Sequence, residues 1–331
     1  MWTLRLIPDG THIPFTRWRS LAFALSLTAL VIALGAFVTR GLNFGVDFRG
    51  GTLIEISTPT DADLSVIRDS LGAIGVGDVQ VQTFGAPDDV LIRVELQDPE
   101  EGQSEAEAQQ AVVTSVLRAL EAAIPGFIAS PPDDTEGAEG MVRRTEVVSG
   151  AVSSELVRAG ALAVIGALVM MLVYITFRFE WQFAVGAVAA LTHDVILTMG
   201  MFAITQIEFN LPIIAAILTI VGYSMNDTVV VYDRIRENLR KFKRLPLDQL
   251  LDGAINQTLS RTVMTSVTTL LALIALFTLG GEVLRGFAFA LIFGIIIGTY
   301  SSIFVASPIL LLTGTQREAA GEATKTDPLV T

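Results

Sequence analysis

Six stretches of this chain are about 20 residues long, mostly apolar and almost free of charge, the length a helix needs to cross a bilayer core. The first is 21–38 (LAFALSLTALVIALGAFV), and the others run over about 160–177, 183–204, 211–231, 262–279 and 287–312. Arg17, Trp18 and Arg19 precede the first run. It is longer than the apolar part of a secretory signal, and no small-residue cleavage site follows Ala36-Phe37-Val38, so it reads as a retained helix. Composition agrees, because 51% of the 331 residues are hydrophobic and 17% charged, against about a quarter charged in soluble chains.

The charge is unevenly placed. Residues 41–157 carry 21 acidic and 6 basic side chains, a net of −15, and the rest of the chain carries +3. These acidic groups keep an exposed domain soluble and speak against nucleic acid as a partner. Positive loops stay on the cytoplasmic side. With the N-terminus inside, the inside segments hold Arg5, Arg17, Arg19, Arg178, Arg234, Arg236, Arg240, Lys241, Lys243, Arg244, Arg261, Arg317 and Lys325, while the short outside loops hold only Arg285. That asymmetry predicts a cytoplasmic N-terminus over 1–20, a basic cytoplasmic loop over 233–260 and a polar, disordered cytoplasmic tail over 313–331. Residues 158–312 form a five-helix bundle with the first span, and 41–157 lie outside, in a bacterium the periplasm.

Within 41–157, period-two alternation predicts strands at Thr52–Ser57, Val79–Thr83 and Val90–Leu96, with a turn at Pro87-Asp88-Asp89. Leu64, Ile67 and Leu71 have helical spacing over Asp61–Ile74, and Gly75 suits a C-cap. Ser104 and Glu107 form a capping-box pattern opening a helix to about Ile124. After a turn-rich stretch at 126–140, Arg143–Val148 supplies a last strand. The order β-α-β-β-α-β is ferredoxin-like, an α+β fold that by itself says nothing of function.

Four patches carry polar or glycine-rich character that a plain anchor does not need. Gly45–Thr52 (GVDFRGGT) joins the first span to the first strand, and its glycines permit tight turns. His193 and Asp194 stand near the middle of the third span. Gly222–Thr228 (GYSMNDT), with Asn226, Asp227 and Thr228, lies in the fourth. Gly294 and Gly298–Ser302 (GTYSS) lie in the sixth, where the two glycines make a close-packing face. An ionised aspartate in a spanning helix is costly, so it faces the bundle interior, pairs or titrates. Arg261 opens the fifth span from the side at which Asp227 ends the fourth, so the two can share a depth. A static ion pair and an arginine reaching back to the interface are the bland readings of that pair. Asn226 and Thr228 flank Asp227 and either support it or bond neighbouring helices. His193 and Asp194 are adjacent in a helix and point about 100° apart, so they are not expected to share one partner. One histidine makes a poor metal site, and a chain without cysteine has no thiolate or disulfide. No cofactor and no enzymatic chemistry are expected. Two membrane aspartates also fit an intramembrane protease, but the Gly-x-Gly-Asp setting of such pairs is absent. The basic run 234–244 serves topology and contact with anionic lipids.

The patches Gly45–Thr52, Asn226–Asn238 (NDTVVVYDRIREN), Leu259–Thr262 (LSRT), the Ala-Phe-Ala run after Gly286 and Gly298–Leu310 (GTYSSIFVASPIL) resemble the signatures of the SecF family of Sec translocase subunits, within the SecD/SecF group of the RND superfamily. The junction Val148–Leu156 departs from that family's proline-containing pattern. The resemblance spans Leu42 to Leu312 and implies an inner-membrane protein that uses the proton-motive force to promote export of unfolded polypeptides. It implies SecD as a separate partner, the SecY channel complex (SecYEG) with YajC as a further candidate, and a proton relay of Asp227 with Arg261, supported by Asp194 and His193. A proton-coupled exporter of small molecules or lipids is the alternative, and a passive assembly factor a third reading.

Overall fold

The computed structural model describes Pro8 and residues 11–77, 79–97, 99, 103–129 and 141–313. The predicted tail from residue 314 onward, Arg5 and most of the turn-rich stretch 126–140 lie outside the described residues.

All six predicted spans are long apolar helices. A 3₁₀ turn at Phe15–Trp18 leads into α1 (Arg19–Arg40), which stops at Gly41 with a φ of +65°. A short α2 (Val46–Arg49) hands over to the outer domain: β1 (Gly51–Ser57), α3 (Leu64–Gly72), β2 (Val79–Phe84), β3 (Ala86–Val94), α4 (Glu105–Ala123) and β4 (Val142–Val148). The bundle continues with α5 (Gly150–Arg178), α6 (Trp181–Thr205), α7 (Leu211–Lys241), α8 (Leu247–Leu279) and α9 (Gly281–Ser301). A π-helical turn, Ser302–Ala306, joins α9 to α10 (Ser307–Thr313).

The outer sheet has the order β2-β3-β1-β4 with every pairing antiparallel, the ferredoxin-like arrangement. Ile54 pairs with Ile92 and Ile56 with Val90, and alternation sends these side chains to one face. There they pack on Ile67 and Leu71 of α3 and on Val112, Val116 and Leu120 of α4. Each such side chain stabilises the fold by about 1.5–3 kcal/mol. The capping box is formed as expected: the Ser104 Oγ accepts from the Glu107 N–H, and the Glu107 carboxylate accepts from the Ser104 N–H. Three local expectations are corrected. Pro87, Asp88 and Asp89 lie inside β3, because Gly85 with a φ of +88° takes the turn instead. The first helix starts at Leu64, since the Asp63 carboxylate caps the Ser65 and Val66 amides. That helix ends at Gly72, ahead of Gly75.

Two boundaries of the bundle also differ. Ser149 caps α5, so this helix begins at Gly150 with no break at 158. The segment 233–260, read as a loop, is helical except at 242–246. Tyr232 and Ile235 on α7 bury themselves against Leu250, Leu251, Ala254 and Ile255 on α8, which extends both helices beyond their membrane runs.

The glycine-rich junction locks domain to bundle. Gly51 has a φ of +112°, and a Cβ there would collide with the Val94 carbonyl. At Gly50 a Cβ would meet the backbone of Gly150 at 3.5 Å, so α5 begins against this turn. Asp47 accepts a hydrogen bond from the Leu211 N–H at 2.8 Å, capping α7 from outside, and Gly45 N–H donates to the Phe209 carbonyl at 2.8 Å. Arg93 on β3 forms a mostly buried ion pair with Glu208 in the α6–α7 connection.

Candidate functional site

The site is built around α6, the helix most enclosed by the others. Of its most apolar stretch 61% is buried, against 6% for α5. Glycines let the neighbours approach: a Cβ on Gly298 would stand 3.0 Å from the Ser224 Cβ, and one on Gly294 would overlap Ile220. The small faces of α7 and α9 therefore meet at van der Waals contact, and polar side chains near that seam reach across it.

Two carboxylates occupy this seam. Asp194 on α6 is 1% exposed, and its Oδ2 accepts from the Ser224 Oγ at 2.6 Å and from the Ser301 Oγ at 2.8 Å. Asp227 on α7 is 8% exposed, and it accepts from the Thr262 Oγ1 on α8 at 2.6 Å and from the Ser302 Oγ at 2.6 Å. Ser301 ends α9 and Ser302 opens the π turn, so two consecutive hydroxyls hold two carboxylates from two different helices. The π turn is fixed by a bond from the Ser307 Oγ to the Ser302 carbonyl, five residues back. Such single π turns break the regular ladder and frequently stand at functional sites.

His193 and Asp194, not expected to share a partner, bond one another: the Nδ1 and Oδ1 lie 2.9 Å apart. The imidazole stacks on Tyr300 at 6.2 Å, and its buried Nε2 has no hydrogen-bond partner among the described residues. Tyr300 ties α1 to this group. Its hydroxyl donates to the Ala22 carbonyl at 2.9 Å, so Ser26, 3.0 Å away, must donate to Tyr300.

The remaining predicted residues are placed differently. Thr228 is buried but does not bond Asp227, and Asn226 is exposed on the far side of α7. Arg261 is exposed and forms no ion pair with Asp227; its neighbour Thr262 makes that contact. In the sequence Ser224, Thr262, Ser301 and Ser302 stand out only as parts of patches. Their common signal is a hydroxyl in an otherwise apolar span. Among the described residues no three His, Asp or Glu side chains gather as a metal-binding group.

Chemically, this is a pair of enclosed carboxylates held by hydroxyl donors, with the His193 ring also bonded to Asp194. A hydroxyl can turn from donor to acceptor, so each carboxyl can gain or lose a proton without moving its neighbours far.

Known proteins resemble this chain over nearly all of its length. Residues 133–316 match the family model described as protein export membrane protein SecD/SecF, C-terminal, and residues 35–58 match the SecD/SecF GG motif. The protein translocase subunit SecF of Magnetococcus marinus is 49% identical over 98% of this chain and all of its own length. That of Vibrio alginolyticus is 44% identical over 92% of this chain and 91% of its own. The translocase subunit SecDF of Brucella abortus is 42% identical, covering 97% of this chain and 40% of that longer protein. The crystal structure of SecDF from Thermus thermophilus superposes with a TM-score of 0.78 at 34% identity, over 95% of this chain and 39% of that one. The chain belongs to the SecD/SecF family of protein export membrane proteins, as a SecF-type translocase subunit.

Proposed function

We propose that this protein couples the proton-motive force to polypeptide export, with Asp227 carrying the proton and Asp194 and His193 forming a second, linked polar node. The observation that carries this reading is the pair of consecutive serines, Ser301 and Ser302, each donating to a different buried aspartate. A change in the protonation of either carboxyl alters what its serine must donate, and both serines sit on one turn of one helix. Ser302 begins the π turn, where the regular helical ladder is interrupted.

Arg261 acts as the mobile counter-charge of Asp227. Thr262 occupies the contact position, with Arg261 beside it on α8. An arginine that approaches only when Asp227 is ionised would alternate the site between loaded and released states, which a permanent ion pair would not. The protein is not an enzyme on this reading and needs no cofactor beyond the gradient.

SecD is the partner, in line with relatives that carry SecD and SecF in one chain. The remaining partners are the SecYEG channel, YajC and the unfolded chains in export. The outer domain faces the periplasm and both termini the cytoplasm of a bacterial inner membrane. Arg178, Arg234, Arg236, Arg240 and Lys241 gather at the bundle end opposite that domain, which supports this orientation. Reporter fusions at Pro99 and Phe242 should read periplasmic and cytoplasmic respectively; the reverse at either site refutes it.

The test of the relay is export of a reporter in membrane vesicles after ATP-driven steps are complete, with and without a proton gradient. Asp227→Asn keeps the shape and cannot change charge, so it should assemble with SecD and lose the response to the gradient. Arg261→Lys keeps the charge without the planar fork and should be intermediate. A full gradient response from Asp227→Asn would move the assignment to Asp194.

A further inference from the structure

At the bundle end away from the outer domain, the last residue of α5 and the last turns of α7 enclose an open cavity of about 500 Å³, lined by Arg178, Asp233, Arg236, Glu237, Arg240 and Lys241. Both carboxylates are already engaged. Arg178 donates to Asp233 at 2.9 and 3.2 Å, and Arg234 donates to Glu237 at 2.8 Å. Arg236 donates to the Arg178 carbonyl at 3.4 Å, which draws the two helix ends together. No carboxylate among the described residues pairs with Arg236, Arg240 or Lys241. The cavity thus presents three cations without a carboxylate ion pair, Lys241 lying over the Phe242 ring.

Exposed apolar side chains stand close to the cavity's Arg178 along the chain. Phe177 is 89% exposed and Trp181 57% exposed, on either side of the Arg178 turn. Helix α5 above them is the least enclosed span, with Leu162, Val169 and Met170 all exposed. A cationic cavity lined by the last residue of a helix whose apolar face is uncovered fits a ligand with an anionic head and an apolar body. A free phosphate would satisfy only the cations, and an acidic protein surface would leave the α5 face bare. Tryptophan and phenylalanine at this level suit the headgroup boundary of a bilayer.

We infer that Arg236, Arg240 and Lys241, with Arg178 fixed beside them, form a binding site for the phosphodiester headgroup of an anionic phospholipid whose acyl chains lie along α5. The inference rests only on the chain spanning a membrane and is independent of the proton relay, whose failure would leave it standing.

The test uses the full chain in nanodiscs of phosphatidylcholine alone or mixed with phosphatidylglycerol. Thermal unfolding and the phosphatidylglycerol retained in native mass spectrometry are the readouts. The parent should be stabilised by phosphatidylglycerol and retain it. Removing two cations in Arg240→Gln/Lys241→Gln should weaken retention by roughly fivefold per cation, about 1 kcal/mol each. The control Lys243→Gln/Arg244→Gln removes the same charge outside the cavity and should retain the lipid as the parent does. Equal loss in both double variants would reduce the effect to surface charge and overturn the site. Stabilisation by inorganic phosphate in phosphatidylcholine discs would make it a free-anion site and overturn the lipid assignment.

Discussion

In the outer domain Ile54, Ile56, Ile92 and Leu120 are fully buried, while Asp61, Glu107 and most other charges face outward. In the bundle the order is reversed: Leu25, Val31, Leu162 and Met170 are exposed, whereas Asp194, Asp227 and His193 are buried. Both arrangements follow from one rule applied in two solvents. Water drives hydrocarbon inward and supplies the outer domain with its stability. Lipid offers no such drive, so the bundle associates through close glycine-lined contacts and interhelical hydrogen bonds. Arg93 is the buried charge of the outer domain, and it is paired with Glu208 at the junction, whereas in the bundle the buried carboxylates lie between the helices and are held by hydroxyls.

Substitutions can break this contrast. The largest effect is expected from Ile54→Ala, which should destabilise the outer domain by about 4 kcal/mol. Hydrogen exchange of β1 and β3 amides should accelerate by roughly a thousandfold, while amides of α6 and α7 stay protected. Acceleration of both would show that the two regions unfold as one. The mirror experiment is an acidic residue on each surface. Met170→Asp, facing lipid, should cost about 3 kcal/mol and impair insertion of α5. Thr114→Asp, on the exposed side of α4, should stay within about 0.5 kcal/mol; a similar penalty at both sites would remove the two-solvent argument.

Within the bundle, Ser302→Ala deletes one donor to Asp227 and should cost about 2 kcal/mol. Gradient-driven export should fall on the order of tenfold, and Ser302→Thr, which keeps the hydroxyl, should recover most of it. Loss of stability with unchanged gradient dependence would make Ser302 a packing residue. A smaller loss is expected outside, where Ser104→Ala should cost about 1 kcal/mol, read as fraying of the first turn of α4. The Ser104 N–H and hydroxyl hold the Glu107 carboxyl below its ordinary range. A group lowered on folding stabilises above its unfolded pKa and ceases to do so as pH falls through the folded value. The penalty of Ser104→Ala should therefore be full at neutral pH and shrink under acid.

Much of this was readable before any tertiary contact was known, and the readable parts are local. Span length marks six helices because a bilayer demands it, alternation marks the strands, and Ser104 with Glu107 marks a helix start because those groups meet three residues apart. Where a local rule has two solutions, the sequence does not choose between them. Pro87-Asp88-Asp89 and Gly85 could each have turned the chain, and 233–260 is polar enough for a loop yet amphipathic enough to pack as helix.

The site itself divides along the same line. That Asp194 and Asp227 need partners followed from sequence, since a carboxylate in an apolar span is costly without them. Which partners it has did not. Ser224 and Ser301 lie 30 and 107 residues from Asp194, and Thr262 and Ser302 lie 35 and 75 residues from Asp227. Arg261 looked like the contact and Thr262 makes it, a difference of one residue that rotates a side chain by about 100° around α8. Only the packed bundle decides such a choice, because a helix's own periodicity says which residues share a face but not which neighbour that face will meet.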